Sequence, residues 1–417
     1  MTEENKSVKN FPNSGDLGIP KLRFTEFGIE KWESKRLGEI ATFTKGKGIS
    51  KSDIDENGEI ECIRYGELYT FYEEVISEIK SKTNTDISSL VLSESNDVII
   101  PASGETQIDI ATASCVLKSG VALGGDLNVI KTKNNGVFLS YYLNSKKKLE
   151  IAKLSQGISV VHLYSSQLAL LNLKLPQLEE QNKLANFLSL LNSRIQTQRK
   201  IIEKLETLMK AYREKIFSQK LRFKDNQGNK FPDWDYFQLG EVLTVQGGFA
   251  FKSQLFNKGT TKVLRIGDIV KTIQLDNFKG VYSLEVPDNK YLVRKGDFVM
   301  ALSGATFGKV GKINCNGKAH INQRVATFRT NYCLEFFYQL VQSKDFVNYI
   351  YSIPTASAQP NISNSDISKY ETAIPSMKEQ TKIANFLSSI QDKIETEKQI
   401  LEKLELQKKF LLANLFV

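Results

Sequence analysis

The stretch LPQLEEQNKLANFL, residues 175–188, returns 199 residues later as IPSMKEQTKIANFL, residues 374–387. Eight of the fourteen positions are identical and three more exchange among Leu, Ile and Met, so the chain contains a duplicated unit. Downstream of each copy the apolar residues alternate at spacings of four and three. The first seam runs Leu184, Leu188, Leu191, Ile195, Gln198, Ile202, Leu205, Met209, Tyr212, Ile216. The second runs Ile383, Leu387, Ile390, Ile394, Glu397, Leu401, Leu404, Lys408, Leu411, Leu415, with its polar break at the repeat position of Gln198. Heptads of this length predict two long helices that pair with each other, each about 41 residues and roughly 60 Å. Pro176 marks the entry of the first, and Ser376 with Glu379 reads as a capping box opening the second. A further apolar row, Phe187, Ile201 and Leu208, echoed by Phe386 and Ile400, widens the stripe beyond a two-stranded seam. It is a candidate for docking a partner subunit, or for packing on the protein's own modules.

The duplication extends outward. KLRF at residues 21–24 recurs at 220–223; Trp32, Leu37, Gly38 and Glu39 match Trp234, Leu239, Gly240 and Glu241. Residues 63–68 echo 264–269, and residues 97–104 echo 297–304. The echoes are short β-branched runs bounded by Gly, Asn and Asp, with helical patterns over 139–154 and 334–351, which predicts a mixed α/β module made twice. Between the echoes the copies diverge, notably over residues 49–60 and 107–120. The expected organisation is a flexible arm over residues 1–20, a module over 21–174, a long heptad helix over 175–219, a second module over 220–373 and a closing heptad helix over 374–417, the two helices pairing with each other.

Composition excludes some functions. No apolar run approaches a membrane span, and MTEENKSVKN lacks the apolar core of a signal peptide, so a cytoplasmic protein without a membrane partner is expected. Cys62, Cys115, Cys315 and Cys333 lack metal-site spacing and only His162 and His320 accompany them, which argues for reduced core thiols and no metal. A net charge of +9 favours an anionic partner. Residues 304–309, GATFGK, resemble a phosphate loop but are one residue short between glycines and continue into Val310 instead of Ser or Thr. No catalytic set emerges. The candidate DNA contacts are the basic and turn residues near the echoes: Lys45, Lys47, Lys51 and Arg64 in the first module, Lys252, Arg265, Ser303, Gly304, Thr306 and Lys309 in the second. Arginine can read guanine through two hydrogen bonds, and lysine mainly meets phosphate.

Two variable α/β modules, each ended by a heptad helix that opens P-x-x-x-E-Q-x-x-I/L-A-x-x-L, resemble the specificity subunit of a type I restriction-modification system. The pattern is carried by Pro176, Glu180, Gln181, Leu184, Ala185 and Leu188, and by Pro375, Glu379, Gln380, Ile383, Ala384 and Leu387. The resemblance implies that each module is a target recognition domain reading half of a split double-stranded DNA sequence, and that the helices pair as an antiparallel coiled coil, a spacer that sets the gap. It implies no catalytic centre in this chain. Two methyltransferase subunits using S-adenosylmethionine, and restriction subunits using ATP and magnesium, would be the partners. A coiled-coil scaffold whose modules bind protein or RNA is the competing reading, and a self-contained nuclease a weaker one.

Overall fold

The computed structural model describes residues 8–10, 18–157, 160–353 and 360–417. The chain forms two compact units, Met1–Lys200 with Gln399–Val417, and Ile201–Lys398. Of the arm expected over residues 1–20, Val8–Asn10 is described as a strand antiparallel to Leu22–Phe24; residues 1–7 and 11–17 lie outside the described residues.

Both units are built on the same five-stranded sheet. In the first the strand order is Ala41–Lys45, Leu127–Thr132, Asp97–Pro101, Ser114–Val116, Val75–Ile76; in the second it is Thr244–Gly247, Val325–Arg329, Phe298–Ala301, Val310–Ile313, Thr272–Ile273. The last pairing is parallel and the others antiparallel in both. Because side chains alternate across a strand, each sheet feeds two cores. Val98, Ile100 and Ile130 face the helical side of the first unit, whereas Ile99 and Val129 face a smaller sheet of Ile60–Ile63, Ser81–Thr83 and Ala122–Leu123. Phe298, Met300 and Phe328 face the helical side of the second unit, and Val299, Ala301 and Val325 the opposite one. There the smaller sheet gains a fourth strand, Leu292–Arg294.

The two heptad stretches are helices Leu178–Phe217 and Met377–Asn414. Each starts later than the pattern suggested because Leu175 and Ile374 end strands that pair with Glu33–Arg36 and Asp235–Gln238. Within the first unit the beginning of the central helix and the end of the terminal helix share one core, through Leu184 and Leu188 on one side and Leu411 and Leu412, with Leu415 and Phe416 just past the helix, on the other. The converse halves meet in the second, through Met209, Ile216, Ile383, Leu387 and Ile394. This is antiparallel pairing. Arg199 bonds Glu405 at 2.7 Å in the first unit, and Lys398 bonds Glu206 at the equivalent place at 2.6 Å in the second. Of the seam, Ile195, Ile202 and Leu404 are also buried, and Leu191, Leu205, Ile390 and Leu401 partly so. Gln198 and Glu397, the matched polar breaks, are both buried.

The repeated P-x-x-x-E-Q pattern has a structural cause. Arg23 of the first KLRF grips Glu180 through Nε (2.9 Å) and Nη2 (2.7 Å); Arg222 of the second grips Glu379 through Nε and Nη2, both at 2.9 Å. Each pair spans 157 residues. The next residue locks the helix to its module. Gln181 donates to the Pro176 carbonyl and accepts the Asn135 backbone N–H, and Gln380 does the same with Pro375 and Cys333. The expected capping box therefore does not form: Glu379 spends its carboxylate on Arg222 and on the Trp234 indole N–H, because a buried charge needs those donors more than an exposed helix start does.

One seam position differs between copies for a reason that lies in the modules. Met209 is buried, but its counterpart Lys408 donates to Glu74 and Asn192, both at 2.9 Å. Glu74 precedes the strand Val75–Ile76. The residue at that place in the second unit is Lys271, whose ammonium is held below its usual range by burial and then by the nearby Lys398 charge.

Candidate nucleic-acid interface

At one end of each five-stranded sheet four segments converge through the same backbone hydrogen bonds. In the first unit Gly124 N–H donates to Ile63 (2.9 Å), Lys47 to Leu123 (2.9 Å), Ala102 to Asp126 (2.7 Å) and Leu163 to Ala102 (2.9 Å). In the second Asn322 donates to Leu264 (2.9 Å), Phe249 to Ile321 (2.9 Å), Leu302 to Arg324 (2.9 Å) and Ile362 to Leu302 (3.0 Å). Glycine is required where two backbones touch. A Cβ on Gly46 would overlap the carbonyl of Gly124, and one on Gly248 that of Asn322, far inside van der Waals contact.

The DNA-contact candidates lie along the chain segments that form these two frames. Lys45 is exposed at the end of the strand Ala41–Lys45, Lys47 and Lys51 are exposed on the segment that follows it, and the Lys45 ammonium lies 6.0 Å from the Tyr164 ring centre. Lys252 is exposed on the matching segment of unit two. Ser303 and Gly304 turn beside Asn361, with Gly304 at φ +77°, and the Thr306 hydroxyl donates to the Ile266 carbonyl. Lys309 is exposed just before the strand Val310–Ile313, so the glycine pair leads into a strand and lacks the helix of a phosphate loop.

The two echoed arginines are tethered. Glu67, which is buried, accepts the Arg64 backbone N–H (3.1 Å) and its guanidinium (3.3 Å); Asp268 accepts those of Arg265 at 2.9 and 3.3 Å. Each carboxylate fixes a turn and orients a cation at the rim. Beneath the first turn, burial and then the Glu67 charge push the Cys62 thiol up to about 11, so it stays protonated. Cys62 and Cys115 are buried thiols, and Cys315 and Cys333 are partly buried against the two cores of the second unit, where Cys315 accepts the Leu275 N–H.

The extra apolar row on the helices divides. Phe187 packs edge-on against Phe24 (5.8 Å), and Phe386 against Tyr212 (5.1 Å) and Phe223 (5.4 Å), so both are partly buried within their own units. The KLRF phenylalanines cover them. Ile201, Leu208 and Ile400 are exposed, as are Leu190, Leu406 and Phe410, which sequence reasoning missed because they fall outside that row.

Residues 29–207 and 232–406 each match the family described as type I restriction modification DNA specificity domain. The chain belongs to that family. It is 26% identical to the type I restriction enzyme MjaVIII specificity subunit of Methanocaldococcus jannaschii, over 96% of this chain and 93% of that one. The Escherichia coli type I restriction enzyme EcoBI specificity subunit is 26% identical over 44% of this chain and 38% of its own length. Among solved structures, a type I restriction-modification S subunit from M. genitalium superposes with TM-score 0.64 at 17% identity, covering 96% of this chain and 99% of that one. That likeness speaks for the fold. The match to a DNA specificity family favours recognition over a protein or RNA scaffold. No described helix is long and apolar enough to cross a membrane.

Proposed function

We infer that this chain is the DNA-recognition subunit of a type I restriction-modification complex, supplying sequence specificity and no catalytic group. Each module reads one half of a split double-stranded target, the paired helices set the unread gap, and helix surfaces dock two methyltransferase subunits. The observation carrying this reading is the rim: one backbone frame made twice, with lysines and arginines at its edge and different side chains in its turns. A duplicated scaffold with divergent edges suits two half-sites of different sequence. Lysines on the rim supply phosphate contacts, which position the duplex, and polar side chains in the turns supply base contacts, which select it.

The chemistry belongs to the partners. The methyltransferase subunits would use S-adenosylmethionine to modify adenine, and restriction subunits would use ATP and magnesium. The test is single-molecule sequencing of genomic DNA from cells carrying this protein with its neighbouring methyltransferase, against cells lacking only this protein. A methylated-adenine motif of two half-sites around a fixed gap, present only in the first sample, is the expected result. Identical methylation in both samples would overturn the reading.

A further inference from the structure

The rim offers two kinds of polar group. Arg64 and Arg265 are tied to Glu67 and Asp268, and at the opposite end of the same sheets Lys131 and Arg329 are tied to Asp97 and Asp297. Each of these cations has a carboxylate partner. The turn that enters the sheet strand Leu127–Thr132, and its counterpart entering Val325–Arg329, are different. Their backbones are clamped from both sides, by Ile63 and Ala102 in one unit and by Leu264 and Leu302 in the other. Their side chains are exposed: Asp126 in the first unit, Gln323 and Arg324 in the second. Among the described residues the Asp126 carboxylate, the Gln323 amide and the Arg324 guanidinium have no hydrogen-bond or ion-pair partner.

A rigid backbone presenting unpaired donors and acceptors is what base reading requires, since the ordering cost is met in the free protein and the side chain is not already satisfied. The frame is common to both units, but the turn reads Gly124-Gly125-Asp126 in one and Asn322-Gln323-Arg324 in the other. The turn side chain of the first unit is acceptor-only, and those of the second are rich in donors. We propose that these turns are specificity determinants: Asp126 accepts from an exocyclic amino group, that of cytosine in the major groove, Arg324 donates twice to a guanine, and Gln323 pairs with an adjacent adenine edge. The tethered Arg64 and Arg265 then serve orientation and backbone grip. This assignment rests on the reading of the chain as a DNA-specificity subunit.

The experiment uses the full chain with its methyltransferase, in wild-type form and as D126N and R324A, with genomic methylation read by single-molecule sequencing. Asp126→Asn keeps shape and replaces one acceptor by a donor. The expected result is that D126N changes or relaxes one position of one half-site, with a preference loss of at least about fivefold, and leaves the other half-site intact. R324A should relax one position of the other half-site only. Neither variant should alter thermal unfolding, because neither side chain has a partner to lose. Wild-type motif and discrimination in both variants, or uniform weakening of both half-sites, would overturn the turn assignment while leaving the DNA-specificity reading intact. Absence of any split motif with the wild-type chain would instead overturn that reading.

Discussion

Replacing Arg23 by Ala should cost far more than a surface ion pair, and the structure supplies the reason. Arg23 and Glu180 are 5% and 3% exposed at their side chains, and Arg23 also donates to the Glu30 carbonyl. Truncating it strands a carboxylate away from water without its two guanidinium bonds, a loss of roughly 3–5 kcal/mol. The chain has two tryptophans, and they fall one in each unit, at Trp32 and Trp234. In a Trp234→Phe background Trp32 fluorescence therefore reports the first unit by itself, which matters because a chain of two units need not unfold in one step. With a slope of about 2–3 kcal/mol per M for a unit of this size, R23A should lower the urea midpoint by about 1–2 M. Removing both charges together, as R23M with E180L, should recover most of the loss, since a packed apolar pair replaces a buried ionic one at little net cost. A midpoint change in R23A below about 0.3 M, or a double variant as weak as the single one, would refute the claim that the EQ pattern is maintained by this bond.

Three further outcomes follow from the same structure. Gly46→Ala should destabilise the first unit by about 1–3 kcal/mol through overlap with the Gly124 carbonyl, read by Trp32 in urea, while Gly66→Ala in the same unit, whose added Cβ comes no nearer than 3.4 Å to the Tyr69 side chain, serves as a contrast. Burial alone would raise the Glu73 carboxyl, but the bonds and charges of Arg199 and Lys408 outweigh it and hold the group below its ordinary value. Its stabilising contribution is therefore complete above about pH 4.5 and fades as pH falls through the lowered folded value, so E73Q should flatten the acid limb of a stability profile below that pH. Seven residues inserted into both helices should keep the heptad, add about 10 Å of helix and lengthen the gap of the methylated motif by about three base pairs with its letters unchanged. Altered half-site letters would sink the ruler.

What the sequence by itself determined is whatever local period and repetition encode. The 199-residue duplication, the two heptad helices, the strands Asp97–Pro101 and Val325–Arg329, and the two-module α/β organisation are all written in short-range patterns, because helices and strands impose periods on neighbouring residues. Tertiary structure alone decided which repeated elements hold each other. KLRF and EQ were both visible as repeats, yet the 157-residue bond between them was not, since no local period records a partner that far along the chain. The same holds for Phe187 and Phe386, whose contacts with Phe24 and Phe223 no local period records. At the rim the sequence could identify arginines but not which were already spent: Arg64 and Arg265 are tethered, and Asp126 and Arg324 are not, because satisfaction of a polar group depends on what folding brings beside it.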